Sequence, residues 1–362
     1  MNRQVINMKK TKNGSKNGWK TLAIIELIIL ILVTLLGIYG HVLRNIPVFQ
    51  FAARVLDPKA GGKSILNERK ETEKPYPLTN KQKYPKTLVN ENSINVLLIG
   101  PDVSGANYDS LMIVSIDEKS NEVKLINLPR DIYIDYSKEL KNELKKAWSS
   151  YNKSKGIYKI NAAHTIGKKL EYKKDSGRFG NPEYDFTADL IEEVFGIYID
   201  DFVYVKPSSF RRIVDYFGGV EIDVPYLMKY SDPTQDLKIN IKKGLQTLNG
   251  AQAEGFVRFR QGVDEKGKSV SIGDIERKKN QVTFVKAFMD QHLTLKNIGK
   301  FITIFNDMHE YVTTSLTAEK AGDYGKIAER MYKNKFTQTS EEIECVDVKI
   351  DGVYYLKFSD AK

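Results

Sequence analysis

The chain has 362 residues, enough for one large domain or two modest ones with an ample core. Its formal charge is +10, but residues 1–20 carry Arg3, Lys9, Lys10, Lys12, Lys16 and Lys20 and no acid, so the basicity lies mostly in a tail and argues little for nucleic acid as a partner. The single cysteine, Cys345, excludes an intramolecular disulfide, so an exported domain of this size must rest on its apolar core.

Residues 21–40, TLAIIELIILILVTLLGIYG, are largely apolar. As a helix they span about 30 Å, the thickness of a bilayer core. The run is longer than the apolar core of a cleavable signal peptide and no A-x-A-like site follows it, so it reads as an uncleaved anchor. The six basic residues before it, against His41 and Arg44 after it, place the N-terminus in the cytoplasm and the remainder outside. Glu26, within two turns of the cytoplasmic end, reads as a snorkelling or protonated side chain. Residues 41–90 read as a connector, with Pro47, Pro75, Pro77 and Pro85 around the charged run NERKETEK. GGKS at 61–64 resembles the end of a phosphate-binding loop, but that loop needs glycine at position 57, which is Asp57.

INVLLIG at 94–100 predicts a buried strand, and LMIVSI (111–116) with VKLINL (123–128) predicts a hairpin whose second strand runs into Pro129-Arg130-Asp131. Residues 136–155 are lysine-rich and polar and read as an exposed excursion. Helices are expected at 159–170, at 186–196 with Asp185 or Thr187 near its start, and at 207–219; strands are expected at 197–205 and 220–225. A long helix is expected at 274–291, with Ile275, Val282, Val285, Phe288 and Met289 on its apolar side. Further helices are expected at 301–312 and 321–332, and a closing strand pair at 344–358 around Asp351-Gly352. The alternation predicts an α/β fold: a mixed central sheet with helices on both sides, in a single extracellular domain at 91–362 behind the N-terminal transmembrane helix.

Three clusters carry candidate chemistry. In GPDVSGANYDS (100–110), Asp102 and Asp109 flank a glycine-containing loop at a strand end, where α/β folds place ligands. Hard oxygen ligands around a turn suit Mg2+, and they equally suit an Asx-type loop with no ligand. Arg130 ends a buried strand, either as a functional side chain or as a partner for Asp131. Arg258 and Arg260 share a face if their segment is extended and diverge if it is helical, and the sequence leaves both open. Arg277 and Gln281 fall on one face of the long helix, near a start where Ser271 or Asp274 is a candidate cap and where an anion is favoured.

In this order GPD (100–102), DS (109–110), PRD (129–131), KINAA (159–163), GGVEIDVP (218–225), LNGAQA (248–253), RFR (258–260) and GDIERKKNQ (273–281) resemble the motif series of the LytR-CpsA-Psr family. The resemblance implies a bacterial cell-envelope phosphotransferase that moves an anionic glycopolymer, such as a teichoic acid or capsular polysaccharide, from a polyprenyl-diphosphate carrier to peptidoglycan. It implies that Asp102 and Asp109 hold Mg2+, with Mn2+ as the alternative ion, and that Arg130, Arg258, Arg260, Arg277 and Gln281 bind the diphosphate. Asp102, Asp109, Arg130 and Arg277 would then be the catalytic set. The membrane, the lipid-linked polymer and peptidoglycan are the expected partners, with no nucleic acid among them. Two positions depart from the family: Tyr108 and Asn280 stand where arginine is common, each removing a positive charge expected near the diphosphate. Those losses motivate a second reading, a non-catalytic protein that binds or senses lipid phosphates or wall polymer.

Overall fold

Strands with one face on each of two cores build the centre of the molecule. The computed structural model describes residues 65–66, 69, 73–102, 105, 107–154, 156–233, 237–294, 297 and 312–359. They belong to a unit spanning 54–362 that is distinct from residues 1–53. The anchor expected at 21–40 lies outside the described residues, as does the helix expected at 301–312 apart from Val312. Among the described residues no helix is long and apolar enough to cross a membrane.

In β1 (Ile94–Pro101), Leu97 and Ile99 pack into the larger core and Ile94 into the smaller one on the opposite face, as alternation requires. β2 (Tyr108–Asp117) and β3 (Glu122–Leu128) form the expected hairpin, antiparallel to each other, with β2 antiparallel to β1. The segment read as an exposed excursion holds a helix, α1 (Lys138–Ala147), capped by the Ser137 side chain and burying Leu140 and Leu144. Its lysines occupy the solvent face, and two leucines four apart were enough to fix the other. α2 (Ala163–Leu170) follows a short 3-10 turn. α3 (Pro182–Phe195) starts four residues before the expected 186 because Asn181 caps it and Pro182 opens it. Gly167 lets α2 lie against α3: a Cβ there would sit 2.2 Å from the Pro182 carbonyl oxygen and 2.6 Å from the Phe186 Cβ. Gly167→Ala is therefore expected to destabilise the fold by about 1–3 kcal/mol through overpacking, read as a shift in the denaturation midpoint.

β4 (Asp201–Val205) is shorter than the strand expected at 197–205 and lies parallel to β1. Next come α4 (Pro207–Tyr216), β5 (Val220–Val224), β6 (Met228–Asp232), β7 (Leu237–Ile241), β8 (Gly244–Leu248), α5 (Gly250–Arg258), β9 (Gln261–Val263), β10 (Ser269–Ser271) and α6 (Gly273–His292). β11 (Val312–Thr314), α7 (Ala318–Lys333), β12 (Thr337–Glu342), β13 (Cys345–Ile350) and β14 (Val353–Phe358) complete the chain. The central sheet is ordered β11-β4-β1-β2-β3-β12 and mixes parallel with antiparallel pairs. Side chains of α2 and α3 pack on one face, through Ile166, Phe186 and Leu190, and those of α6 and α7 on the other, through Val285 and Ile327. β5 pairs with β8, and together with α4, α5 and α6 they enclose a further core around Val214, Phe256 and Phe284.

Two further expectations change. Leu78, Tyr84 and Leu88, assigned to the connector, are buried in the main core, and the Glu193 carboxylate accepts from the Leu78 and Thr79 amides. The prolines there punctuate an irregular segment that is nonetheless packed. On α6, Ile275 is 65% exposed, whereas Arg277, Asn280 and Phe284 take the buried positions. The buried stripe of this helix is partly polar, which is why apolar periodicity misplaced its first turn.

Candidate functional site

A cavity of about 890 Å3 runs between the sheet and the helices α4, α5 and α6. Most of its wall is apolar, including Leu98, Met112 and Val114 from the sheet, Phe210 and Ile213 from α4, and Phe284, Val285 and Phe288 from α6. The polar part of the lining gathers Asp109, Ser110, Arg130, Glu254, Arg258, Arg260, Arg277 and Gln281. Its four arginines face two carboxylates, Asp109 and Glu254, leaving an excess of positive charge beside an apolar channel.

A β-bulge aims Asp109. Gly100 pairs with Ser110 but Pro101 pairs with Tyr108, so Asp109 is the extra residue on β2. The same bulge turns Tyr108 away from the face that Ser110, Met112 and Val114 present to the cavity. Tyr108 is buried in the main core, stacked on His164 with ring centroids 4.1 Å apart, and burial pushes its pKa far up. The expectation that Tyr108 removes a charge beside the ligand is therefore corrected: position 108 belongs to the core. Asn280 is also buried and is not part of the cavity wall, so it too leaves the polar lining unchanged.

Arg130, following β3, donates from Nη1 to the Asp109 carboxylate, and its Nε lies 3.7 Å from Asp131. Burial works to lower the Arg130 pKa, but Asp109 and Asp131 outweigh it and the pKa is raised. Asp131 accepts from Lys159 Nζ at 2.7 Å, so its charge is shared. Arg130 thus lies beside Asp131 and also in the cavity wall.

Arg277 lies one turn inside α6, not at its cap: the helix begins at Gly273, and Asp274 in the first turn accepts from Arg277 Nη2 at 2.5 Å. Burial lowers the Arg277 pKa; Asp274 opposes this, and the nearby Arg130 adds to it. Burial would raise the Asp274 carboxyl, yet Arg277 and Lys278 hold it below the usual range. A buried arginine whose pKa is lowered by burial and by a neighbouring arginine is a position that an anion would stabilise.

The open question about Arg258 and Arg260 is settled by a helix end. Arg258 is the last residue of α5, Phe259 turns extended and is buried, and Arg260 follows beyond the helix. Both arginines consequently line the cavity. Arg258 is held by Glu254 at 2.6 Å, and Arg211 contacts the other oxygen of Glu254 at 3.1 Å. Arg260 is exposed. Gln281 lines the cavity as expected, but its Oε1 accepts from Asn127 at 3.0 Å and from Ser110 at 3.4 Å, while its amide donates to the Val257 carbonyl at 3.4 Å. It ties α6 to β2, β3 and α5. Asp102 sits in the loop between β1 and β2, where its carboxylate accepts from Asn107 Nδ2 at 3.0 Å, and it is not part of the cavity wall.

Sequence reasoning missed the partners that hold the arginines, although Glu254 to Arg258 is an i, i+4 spacing and Asp274 to Arg277 an i, i+3 spacing. It also missed the apolar wall, whose residues come from segments with no local signal in common.

A family model described as the LytR_cpsA_psr family matches residues 62–362. The curated relatives include the Bacillus subtilis polyisoprenyl-teichoic acid--peptidoglycan teichoic acid transferase TagV, 26% identical over 68% of this chain and 52% of the relative. TagU of Bacillus licheniformis, of the same transferase name, is 24% identical over 75% of each chain. This chain thus spans about half the length of TagV and three quarters of that of TagU. The crystal structure of Bacillus subtilis TagV superposes with a TM-score of 0.53 at 24% identity, over 74% of this chain and 91% of that one, which supports the fold. With the motif series in place and the matched region covering the whole described body, this chain belongs to the LytR_cpsA_psr family.

Proposed function

We propose that this protein is a phosphotransferase that moves an anionic glycopolymer from a polyprenyl-diphosphate carrier to peptidoglycan and links it there by a phosphodiester. One observation carries the reading: a single cavity with an arginine-rich end and a long apolar wall has the two chemistries of a lipid diphosphate. The arginines in its lining suit the negative charges of a diphosphate diester. The names of TagV and TagU agree with this donor and acceptor.

The diphosphate would lie against Arg130 and Arg277, with Arg258 and Arg260 at the margin and the polyprenyl tail among Phe210, Phe284 and Phe288. An acceptor hydroxyl oxygen bonds to the phosphorus that carries the glycopolymer. The bond from that phosphorus to the bridging oxygen breaks, and its electron pair leaves with polyprenyl phosphate. The hydroxyl proton passes to a carboxylate, for which Asp109 in the cavity wall is the assignment. The arginines stabilise charge on the transferring phosphoryl oxygens and on the leaving phosphate, where fixed donors in a water-poor site act most strongly.

Among the described residues no group of three or more acidic, histidine or cysteine side chains forms a ready metal cage. Mg2+ does not require one, since it takes one or two carboxylates with phosphate oxygens and water. Asp109 in the cavity wall fits that hard, oxygen-only donor set, Asp102 would have to reach the ion from the loop outside that wall, and Mn2+ would suit the same ligands. When bound, the ion would neutralise charge on the diphosphate. The proposed setting is the outer face of a bacterial membrane, with residues 21–40 as a single-pass anchor that keeps the cavity near its lipid.

The full chain in detergent, given a polyprenyl-diphosphate glycan, Mg2+ and soluble peptidoglycan strands, is expected to release polyprenyl phosphate and form the phosphodiester. Tight binding of the donor without release would instead favour a binding or sensory protein. Filling the apolar wall offers a separate check. Ile213→Trp is expected to raise KM by about tenfold or more for a long-chain donor while leaving a two-isoprene donor unaffected, because overpacking blocks only the tail. Equal effects on both donors would place the tail elsewhere.

A further inference from the structure

A second, smaller cavity of about 450 Å3 shares only Asp109 and Arg130 with the large one. The rest of its wall includes Asn107, Asp131, Gly156, Lys159, Asn161 and Gly352. We infer that this cavity is the subsite for the acceptor sugar, the peptidoglycan saccharide whose hydroxyl attacks the diphosphate. The inference rests on the transferase reading above and adds the place from which the acceptor approaches.

The argument is one of direction. In phosphoryl transfer the attacking and leaving oxygens stand roughly in line on either side of phosphorus. If the leaving polyprenyl phosphate extends into the apolar cavity, the hydroxyl has to come from the side of the Asp109–Arg130 pair away from that cavity. The small cavity meets the large one at that pair and nowhere else in its lining. Its chemistry suits a sugar. Lys159 and Asn161 offer donors, Asp131 and Asn107 offer acceptors, and the wall lacks the phenylalanines that line the other cavity. The Lys159–Asp131 pair at 2.7 Å fixes both side chains before any ligand arrives. The mouth is open at the β13–β14 turn, where a Cβ on Gly352 would meet nothing within 4 Å.

The test uses the full chain with a polyprenyl-diphosphate-linked disaccharide as donor and a soluble, uncrosslinked peptidoglycan strand as acceptor. Asn161→Leu removes a donor at nearly constant size, and Asn161→Phe fills the cavity; melting curves confirm that each variant is folded, and Asn161→Leu alone suffices should the larger side chain not be tolerated. The acceptor KM is expected to rise about fivefold for the lost neutral donor and further for the filled cavity, with the donor KM and the slow release of polyprenyl phosphate to water unchanged. A rise in donor KM instead would assign the cavity to the donor's first sugar and overturn the inference. An unchanged acceptor KM in folded, active variants would overturn it as well. A wild-type chain that releases no polyprenyl phosphate with any acceptor overturns the transferase reading, and the acceptor subsite with it.

Discussion

Arg277→Ala is expected to lower kcat for polyprenyl phosphate release by about two to three orders of magnitude, the usual cost of removing one preorganised donor from a transition state. Arg277 is buried, lines the cavity and keeps one guanidinium nitrogen on Asp274, which leaves the rest of its fork for phosphate oxygens. The loss should not act through the fold, because Asp274 retains Lys278 at 3.1 Å. Arg277→Lys is the sharper control. A lysine restores the charge but not the planar fork, so it should recover only part of the rate. Parallel rate and melting measurements on both variants check this. Full turnover in the alanine variant would remove Arg277 from the catalytic set.

Asp109→Asn is expected to cost about two to four orders of magnitude in kcat, the range for a lost general base. The substitution keeps the shape of the side chain at the bulge while removing its charge. Arg130 then loses the carboxylate that raises its pKa most, while the amide oxygen of the asparagine still offers the proposed metal a hard ligand. Donor affinity should hold or improve, because a negative charge facing the diphosphate disappears. The signature is thus a fall in kcat without a rise in donor KM, obtained from initial rates over a range of donor concentrations. A variant with normal kcat and weakened donor binding would make Asp109 a structural partner of Arg130 and nothing more.

The fold was legible where one pattern dominated. The strand at 94–100 and the hairpin after it carried apolar runs bounded by turn residues, the closing pair around Asp351-Gly352 alternated, and each is present. The helix at Lys138–Ala147 was hidden because lysines outnumber its two buried leucines, and the packing of residues 76–89 because it has no period. Strands β6 to β8 lie in a stretch where polar residues alternate with apolar ones, as Lys238 and Asn240 do with Leu237, Ile239 and Ile241, and this signal was legible but passed over.

For the site, the resemblance supplied the arginines and the structure supplied their geometry. Arg258 and Arg260 needed the end of α5 to bring both to one cavity, which no spacing rule states. Tyr108 and Asn280 looked like lost charges because a motif records position along the chain; the bulge at Asp109 and the inward face of α6 decide where those side chains go. Gln281 shows the opposite case. Helix geometry put it on the face of Arg277, and there it is, but its amide is engaged in holding α6 to the sheet.

The central claim is that one cavity holds the whole lipid diphosphate, and a crystal structure of the chain with a polyprenyl diphosphate tests it most directly. The account predicts the diphosphate between Arg130 and Arg277, with Asp109 beside it and the first isoprene units against Phe210, Phe284 and Phe288. A diphosphate bound away from these arginines, or a tail lying outside the apolar wall, would contradict it.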